Sequence, residues 1–284
     1  MRFCSFRARL WVGTLALVGT VGAAGGCATA ASVPVQDEVQ LGRQAAYEVN
    51  RQLPIIGEGA VNSYINQLGN QIANRADTRG IRYTFYVVNE STVNAFALPG
   101  GYIYINRGLI ERADNMSELA GVLAHEIAHV TERHGVEQMV RAQNANTRVG
   151  LGAAAIGVLT GRPLGGVAGA AVQIGGAGYF ARHGREAERE ADLKGVEFVT
   201  RAGINPQGMV TFFNKLLQER QRNPSGLQQF FSTHPLTEER IQNTSRAVQA
   251  IPAAQRQRLT TDTQAFQQFK ANVRRLPAAP AARR

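Results

Sequence analysis

The sequence predicts an α+β fold, mostly helical, with one small antiparallel sheet, and three observations predict it. Residues 60–75 (AVNSYINQLGNQIANR) place Val61, Tyr64, Ile65, Leu68 and Ile72 at steps of three and four, the period of one helix face. Residues 83–88 (YTFYVV) and 102–105 (YIYI) are runs of β-branched and aromatic side chains, which suit a pleated, half-buried surface. Between them NAFALPGG ends in Pro99-Gly100-Gly101, turn chemistry expected to join the two strands as an antiparallel pair. At 284 residues and 44% hydrophobic composition, the chain can bury a core of ordinary size.

The first thirty residues, MRFCSFRARLWVGTLALVGTVGAAGGCATA, run from Arg2, Arg7 and Arg9 through an uncharged apolar stretch to small residues. That order is the layout of an export signal, and the apolar stretch is shorter than a membrane-spanning helix needs. The small residues end at Cys27 and resemble a bacterial lipobox, with Ala24 where leucine is usual. Residues 1–26 therefore read as a lipoprotein signal peptide, Cys27 as the lipidated first residue of the mature chain, and 27–36 as its tether. Ala28 after the cysteine points to the outer membrane of a Gram-negative envelope. Cys4 would leave with the signal, so the mature chain could form no internal disulfide.

Residues 37–52 (DEVQLGRQAAYEVNRQ) predict a first helix and 60–75 a second. Asn115-x-x-Glu118 has the form of a capping box and opens a helix expected to run to about Gln143. Residues 149–178 hold ten glycines, seven alanines and Arg162 as the one charge, divided by Thr160-Gly161-Arg162-Pro163 into halves too short to span a bilayer. They suit small-residue packing helices or a hairpin near a membrane; a close-packed helical cover is the expectation. Residues 185–202 and 206–222 read as further helices.

The net charge of +10 falls to +7 once the signal is removed, and residues 252–284 hold +6 of that. The nearly neutral body argues against a nucleic-acid-binding domain. Residues 251–284 are expected as a solvated, partly helical basic tail, available to an anionic surface or an envelope partner.

Within the capped helix lies His125-Glu126-Ile127-Ala128-His129. Residues four apart differ by ~40° round a helix, so the two imidazoles aim at one point, where zinc favours such nitrogens. Glu126 lies on the same side and can reach a water beside the metal as a general base. A third ligand must come from elsewhere. His134 follows His129 by five residues, ~140° round a continuous helix, and reads as a structural hydrogen-bonding group. The acidic segment Gly184-Arg185-Glu186-Ala187-Glu188-Arg189-Glu190-Ala191-Asp192 is a better source, and its spacing alone leaves the choice of acid open.

Four segments, NAFALPGGYIYINRGLI, SELAGVLAHEIAHVTERHG, REAEREADLKG and STHPLTEERI, resemble, in order, the HtpX-like and CAAX-prenyl-protease-like zinc metallopeptidases, especially their soluble periplasmic lipoprotein members. The match covers residues 37–250, the expected metallopeptidase domain. The resemblance implies an HExxH-plus-Glu (gluzincin) domain with the sheet beside the active-site helix, and one Zn2+ on His125, His129 and Glu188. Asp192 is implied as the residue orienting a ligand histidine, and His234 as support for the developing oxyanion. Arg240 would order the His234 loop or the Glu188 carboxylate. Asn94 would line the substrate cleft, with Ala95, Phe96 and Ala97 forming an edge strand able to pair with an extended peptide. Gly184 stands where the family has serine.

The expected function is a zinc-dependent endopeptidase, held by lipid on Cys27 to the periplasmic side of the outer membrane, that cuts unfolded or misassembled envelope proteins. Two alternatives stand beside it. One is a latent peptidase in which His234 closes the fourth zinc position. The other is a lipoprotein that binds through its basic tail without cutting.

Overall fold

The computed structural model describes residues 29–146, 183–222 and 224–278. The signal residues, Cys27, the glycine-rich stretch 149–178, Arg283 and Arg284 lie outside the described residues. The architecture is mostly helical with one three-stranded sheet. In chain order the described elements begin with α1 (Val35–Gln52) and α2 (Gly59–Ala76). Strands β1 (Thr84–Val88), β2 (Ala95–Leu98) and β3 (Tyr102–Asn106) follow. Next come α3 (Arg107–Arg112), α4 (Met116–Thr131), α5 (His134–Asn146), α6 (Arg185–Arg201) and α7 (Gln207–Arg222). The last are α8 (Gln228–Thr233), α9 (Glu238–Ala250), α10 (Ala253–Arg256) and α11 (Gln264–Arg275). Among the described residues, no helix is long and apolar enough to cross a membrane.

The sheet differs from the expected antiparallel pair. Its order is β1-β3-β2, with β1 parallel to β3 and β2 antiparallel to β3. The reason lies in the turn: Gly100 and Gly101 adopt φ of 74° and 90°, left-handed geometry that glycine tolerates, and so close a tight hairpin. A tight hairpin needs a strand on each side, and the strand before it is Ala95–Leu98, the edge strand that the family resemblance implies at Ala95 to Ala97. The two faces of the sheet then separate by alternation. Phe85, Val87, Ile103 and Ile105 enter the main core, while Tyr86, Tyr104 and Phe96 stack on the α1 side, with centroids 4.9 and 4.8 Å apart.

Helix α4 is buried from Met116 to Val130 because its sequence is apolar or small on nearly every face, and α2, α6, α7 and β2 surround it. Its partner α7 comes very close: a Cβ on Gly208 would fall 2.3 Å from the Ser117 carbonyl carbon. At its start, Asn115 Oδ1 accepts from Glu118 N (3.1 Å), and Glu118 Oε2 accepts from Asp114 N (2.8 Å), a cap shifted by one residue from the expected box. At its end the chain departs from the expected continuous helix. Arg79 Nη2 donates to Val130 O (2.9 Å), and Arg133 takes φ of 60° between α4 and α5. The guanidinium of Arg133 donates to Glu38 Oε2 (2.8 Å), Ala30 O (2.8 Å) and Val33 O (2.7 Å), contacts that hold this unfavourable conformation in place.

The boundary expected at residue 250 also moves. Helix α11 buries Phe266, Phe269 and Val273 in the main core, with Phe269 stacked on Tyr64 at 4.5 Å. Lys270 Nζ donates to Ala113 O, and Arg107 Nη1 donates to Pro277 O (2.6 Å). The same segment caps α4 through Asp262 Oδ1, which accepts from Met116 N (3.0 Å). Residues 251–278 are therefore a structural layer rather than a solvated arm. Phe266→Ala should lower the unfolding free energy by about 3–5 kcal/mol in urea denaturation, the loss typical of a buried phenylalanine.

Candidate metal centre

His125 and His129 lie in the middle of α4, and the turn between them brings their Nε2 atoms to 3.0 Å. Glu188 projects from the first turn of α6, with Oε2 3.5 Å from His125 Nε2 and Oε1 3.4 Å from His129 Nε2. His234 caps the C-terminus of α8, its N–H donating to Phe230 O (2.7 Å), and places Nδ1 3.3 Å from His125 Nε2 and 3.1 Å from Glu188 Oε1. One ligand atom from each of these four buried residues lies within 4.8 Å of the other three. Glu126 lies beside them, 1% exposed, with Oε1 3.4 Å from His234 Nε2; Oε2 has no hydrogen-bond partner among the described residues.

This donor set fits a tetrahedral ion. Nitrogen and oxygen ligands at zinc bond lengths are separated by about 3.3 Å along the edges of a tetrahedron. Four of the distances above, 3.0 to 3.4 Å, connect one atom of each residue through Glu188 Oε1 and fall around that length, while His125 Nε2 meets the other Glu188 oxygen, Oε2, at 3.5 Å. The protonation states of Glu188 and His129 fit as well. Burial would raise the Glu188 carboxyl, but His234, His125 and His129 hold it well below the usual range, so it is an anion. Burial pushes His129 well down, so it is neutral. His125 responds differently: burial disfavours its charge, yet Asp192 and Glu188 push it up to about 10.

Two groups outside this cluster hold it in place. Asp192, one turn beyond Glu188 on α6, sets Oδ1 3.0 Å from His125 Nδ1. Arg240, from α9, grips both Asp192 oxygens (Nε to Oδ2 2.7 Å, Nη2 to Oδ1 2.8 Å) and sets Nη1 2.6 Å from Glu188 Oε2. Nη1 also donates to Pro235 O at 2.9 Å, so one guanidinium orders both the Glu188 carboxylate and the His234 turn.

Asn94 is buried, its Oδ1 accepting from Thr233 Oγ1 (3.4 Å), and it ties the start of β2 to the end of α8. Ala95, Phe96 and Ala97 form β2, whose outer edge has no strand partner among the described residues. Asn94 O accepts from Asn106 N (2.9 Å), so Asn94, Phe96 and Leu98 turn their backbone groups to β3 while Ala95 and Ala97 turn theirs outward. Ala95 O accordingly meets His234 Nε2 at 3.4 Å.

Two features were not foreseen. His183, just before α6, stacks on His129 with centroids 3.7 Å apart, and burial pushes it down to about 3; its sequence neighbourhood carries no sign of this. His134 Nδ1 lies 2.9 Å from His129 Nδ1, and His134 Nε2 lies 3.3 Å from Glu190 Oε2. The hydrogen-bonding role expected of His134 holds, but through a break between two helices at Arg133 instead of along a continuous helix.

Residues 60–248 match the sequence profile of Peptidase family M48. The chain belongs to peptidase family M48. Similar proteins include the beta-barrel assembly-enhancing protease of Yersinia pestis, 33% identical over 80% of this chain and 47% of that protein. The mitochondrial metalloendopeptidase OMA1 of Saccharomyces cerevisiae is 35% identical over 59% of this chain and 47% of its own length. The metalloprotease LoiP of Escherichia coli K12 is 28% identical over 63% and 67% respectively. The chain spans about half the length of the beta-barrel assembly-enhancing proteases it matches. Membership of M48 is membership of a zinc metallopeptidase family, and HEIAH and the Glu188 helix both lie within the matched residues.

Arg240 is the group on which this M48 centre balances, because two buried carboxylates face it. Arg240→Ala should cost about 3–5 kcal/mol of stability in metal-free denaturation, the scale for breaking a buried pair from one side.

Proposed function

We propose that this chain is a gluzincin-type zinc endopeptidase that hydrolyses peptide bonds in unfolded or misassembled envelope proteins. The observation that carries the reading is the cluster of four buried donors, with ligand atoms within 4.8 Å of one another and the unpartnered Glu126 Oε2 beside them. His125, His129 and Glu188 would hold one Zn2+ per chain, and zinc bound there supplies a Lewis acid that polarises a peptide carbonyl and acidifies a water. Glu126 takes the proton of the attacking water and delivers it to the leaving amine. Its burial supports that role, since burial pushes the carboxyl above its usual range and so makes it a better base. Asp192 and Arg240 keep His125 and Glu188 in their ligating orientation, and His234, with its ring moved, offers an N–H to the oxygen that gains charge.

A main-chain strand added outside β2 would find the N–H and C=O groups of Ala95 and Ala97, which favours extended, unpaired polypeptide with little demand on sequence. The name of the relative from Yersinia pestis, a beta-barrel assembly-enhancing protease, supports a substrate among envelope proteins. Export by residues 1–26 and lipid on Cys27 would place the enzyme on the periplasmic side of the outer membrane.

A second reading, latency, has its own observation. The His234 ring lies against three working parts at once: Nδ1 against the ligands, and Nε2 3.4 Å from both Glu126 Oε1 and Ala95 O. In this position it occupies a fourth ligand place, the base and the first backbone acceptor offered to a substrate. The binding-only alternative has less support, because α11 uses its buried face and Lys270 inside the core.

Zinc content and casein cleavage test these readings together. The parent and Glu126→Gln should each bind about one zinc per chain, with cleavage by Glu126→Gln at least ~100-fold slower. His234→Ala should cut faster than the parent; slower cutting removes latency and leaves His234 its oxyanion role. A parent without zinc overturns the metallopeptidase reading.

A further inference from the structure

His134 and Glu190 have no part in the mechanism above, yet His134 contacts a residue that does, and Glu190 contacts His134. His134 opens α5 and is 5% exposed; its Nδ1 lies 2.9 Å from His129 Nδ1 and its Nε2 3.3 Å from Glu190 Oε2. Two imidazole nitrogens this close share one proton, with one ring donating and the other accepting. The direction follows from His129. To present the Nε2 lone pair to a cation, His129 must carry its proton on Nδ1, and that N–H needs an acceptor. His134 Nδ1 is that acceptor, which leaves the His134 proton on Nε2, facing the Glu190 carboxylate.

We propose that His134, backed by Glu190, is a positioning residue that fixes the tautomer and ring orientation of His129 and so raises the affinity of the cluster for a divalent cation. The inference rests on the zinc reading of the site. It parallels the arrangement on the other ligand, where His125 Nδ1 faces Asp192 Oδ1, itself gripped by Arg240. The break between α4 and α5 makes it possible: the left-handed Arg133, held by Glu38, turns the backbone so that the residue after it returns to His129. His183 covers one face of the His129 ring at 3.7 Å between centroids, which restrains tilting but not rotation in the ring plane. The contact at Nδ1 sets that rotation. Glu190 is half exposed, and one of its carboxylate oxygens, Oε2, lies against the buried His134 imidazole.

Zinc dissociation constants of the full mature chain, measured by chelator competition, test the proposal alongside the unfolding midpoint of the metal-free protein. His134→Ala should bind zinc about 10–100-fold more weakly, the usual loss when a partner of a ligand is removed. His134→Asn, whose Oδ1 restores an acceptor near the old Nδ1 position, should recover most of that loss. Glu190→Gln should fall between the two, with an unchanged metal-free midpoint. Parent-like affinity in His134→Ala, or His134→Asn as weak as His134→Ala, overturns the proposal. Should His134→Ala not fold, parent-like affinity in Glu190→Gln overturns it, since that half-exposed position tolerates the change. A parent that binds no zinc removes the metal reading itself and is a separate result.

Discussion

Charge placed inside an apolar core, on one helix, governs the rest of this structure. The HEIAH turn of α4 is buried, and around it Glu126, Glu188 and Asp192 lie with Arg240, which Glu188 and Asp192 face, none of the four more than 4% exposed. With the imidazoles neutral, three carboxylates against one guanidinium leave an excess of two negative charges. An isolated buried carboxylate costs several kcal/mol, so such an excess calls for positive charge. One divalent cation matches it in magnitude and sign. His125 expresses the same demand, since its two carboxylate neighbours push it up to about 10 against burial. A proton there is a partial substitute for a metal.

A centre with that balance needs a fixed platform, and α4 is fixed from both ends by distant chain. Asp262 and Thr261 accept from the first amides of the helix, Met116 and Ser117, while Arg79 takes the last buried carbonyl, Val130 O. Arg79 is itself held by Asp77 at 2.6 Å and lies 3.6 Å from Glu38, which also holds Arg133. The same carboxylate thus supports the end of α4 and the turn that delivers His134. His234 is held differently, just past a six-residue helix and before Pro235, whose carbonyl accepts from Arg240 Nη1.

The legible and illegible parts of the sequence divide by the range of the interactions that decide them. The choice of Glu188 and Asp192 on a second helix came from the family resemblance, whereas the convergence of His125 and His129 depends on the helical period within one element and could be read from spacing, and the surrounding helices from apolar periodicity. The stop of α4 could not, because the groups that hold Arg133 lie near residue 30 and at Glu38. The same holds for α11: its strongly basic sequence reads as a solvated arm, and only tertiary contact with Tyr64 and Ala113 makes it core. The parallel pairing of β1 and β3 follows from the strand Ala95–Leu98 lying between them in sequence, which is short and alanine-rich and which only the family resemblance marked as a strand. His183 follows a low-information stretch and meets His129 only in three dimensions.

The geometry of β2 links substrate choice to access. Along an antiparallel edge, every second residue turns its hydrogen-bonding groups outward, so this short strand has only two such residues, Ala95 and Ala97. His234 Nε2 faces the Ala95 carbonyl. An incoming chain that pairs fully along β2 must therefore displace the same ring that lies against Glu126 and the ligand cluster. A folded protein has its strand edges covered or charged and gains little by such pairing, whereas an unpaired segment brings free N–H groups that need acceptors. Competition for one carbonyl would then make an unpaired main chain the feature that both selects a substrate and opens the centre, without a dedicated recognition pocket for its side chains.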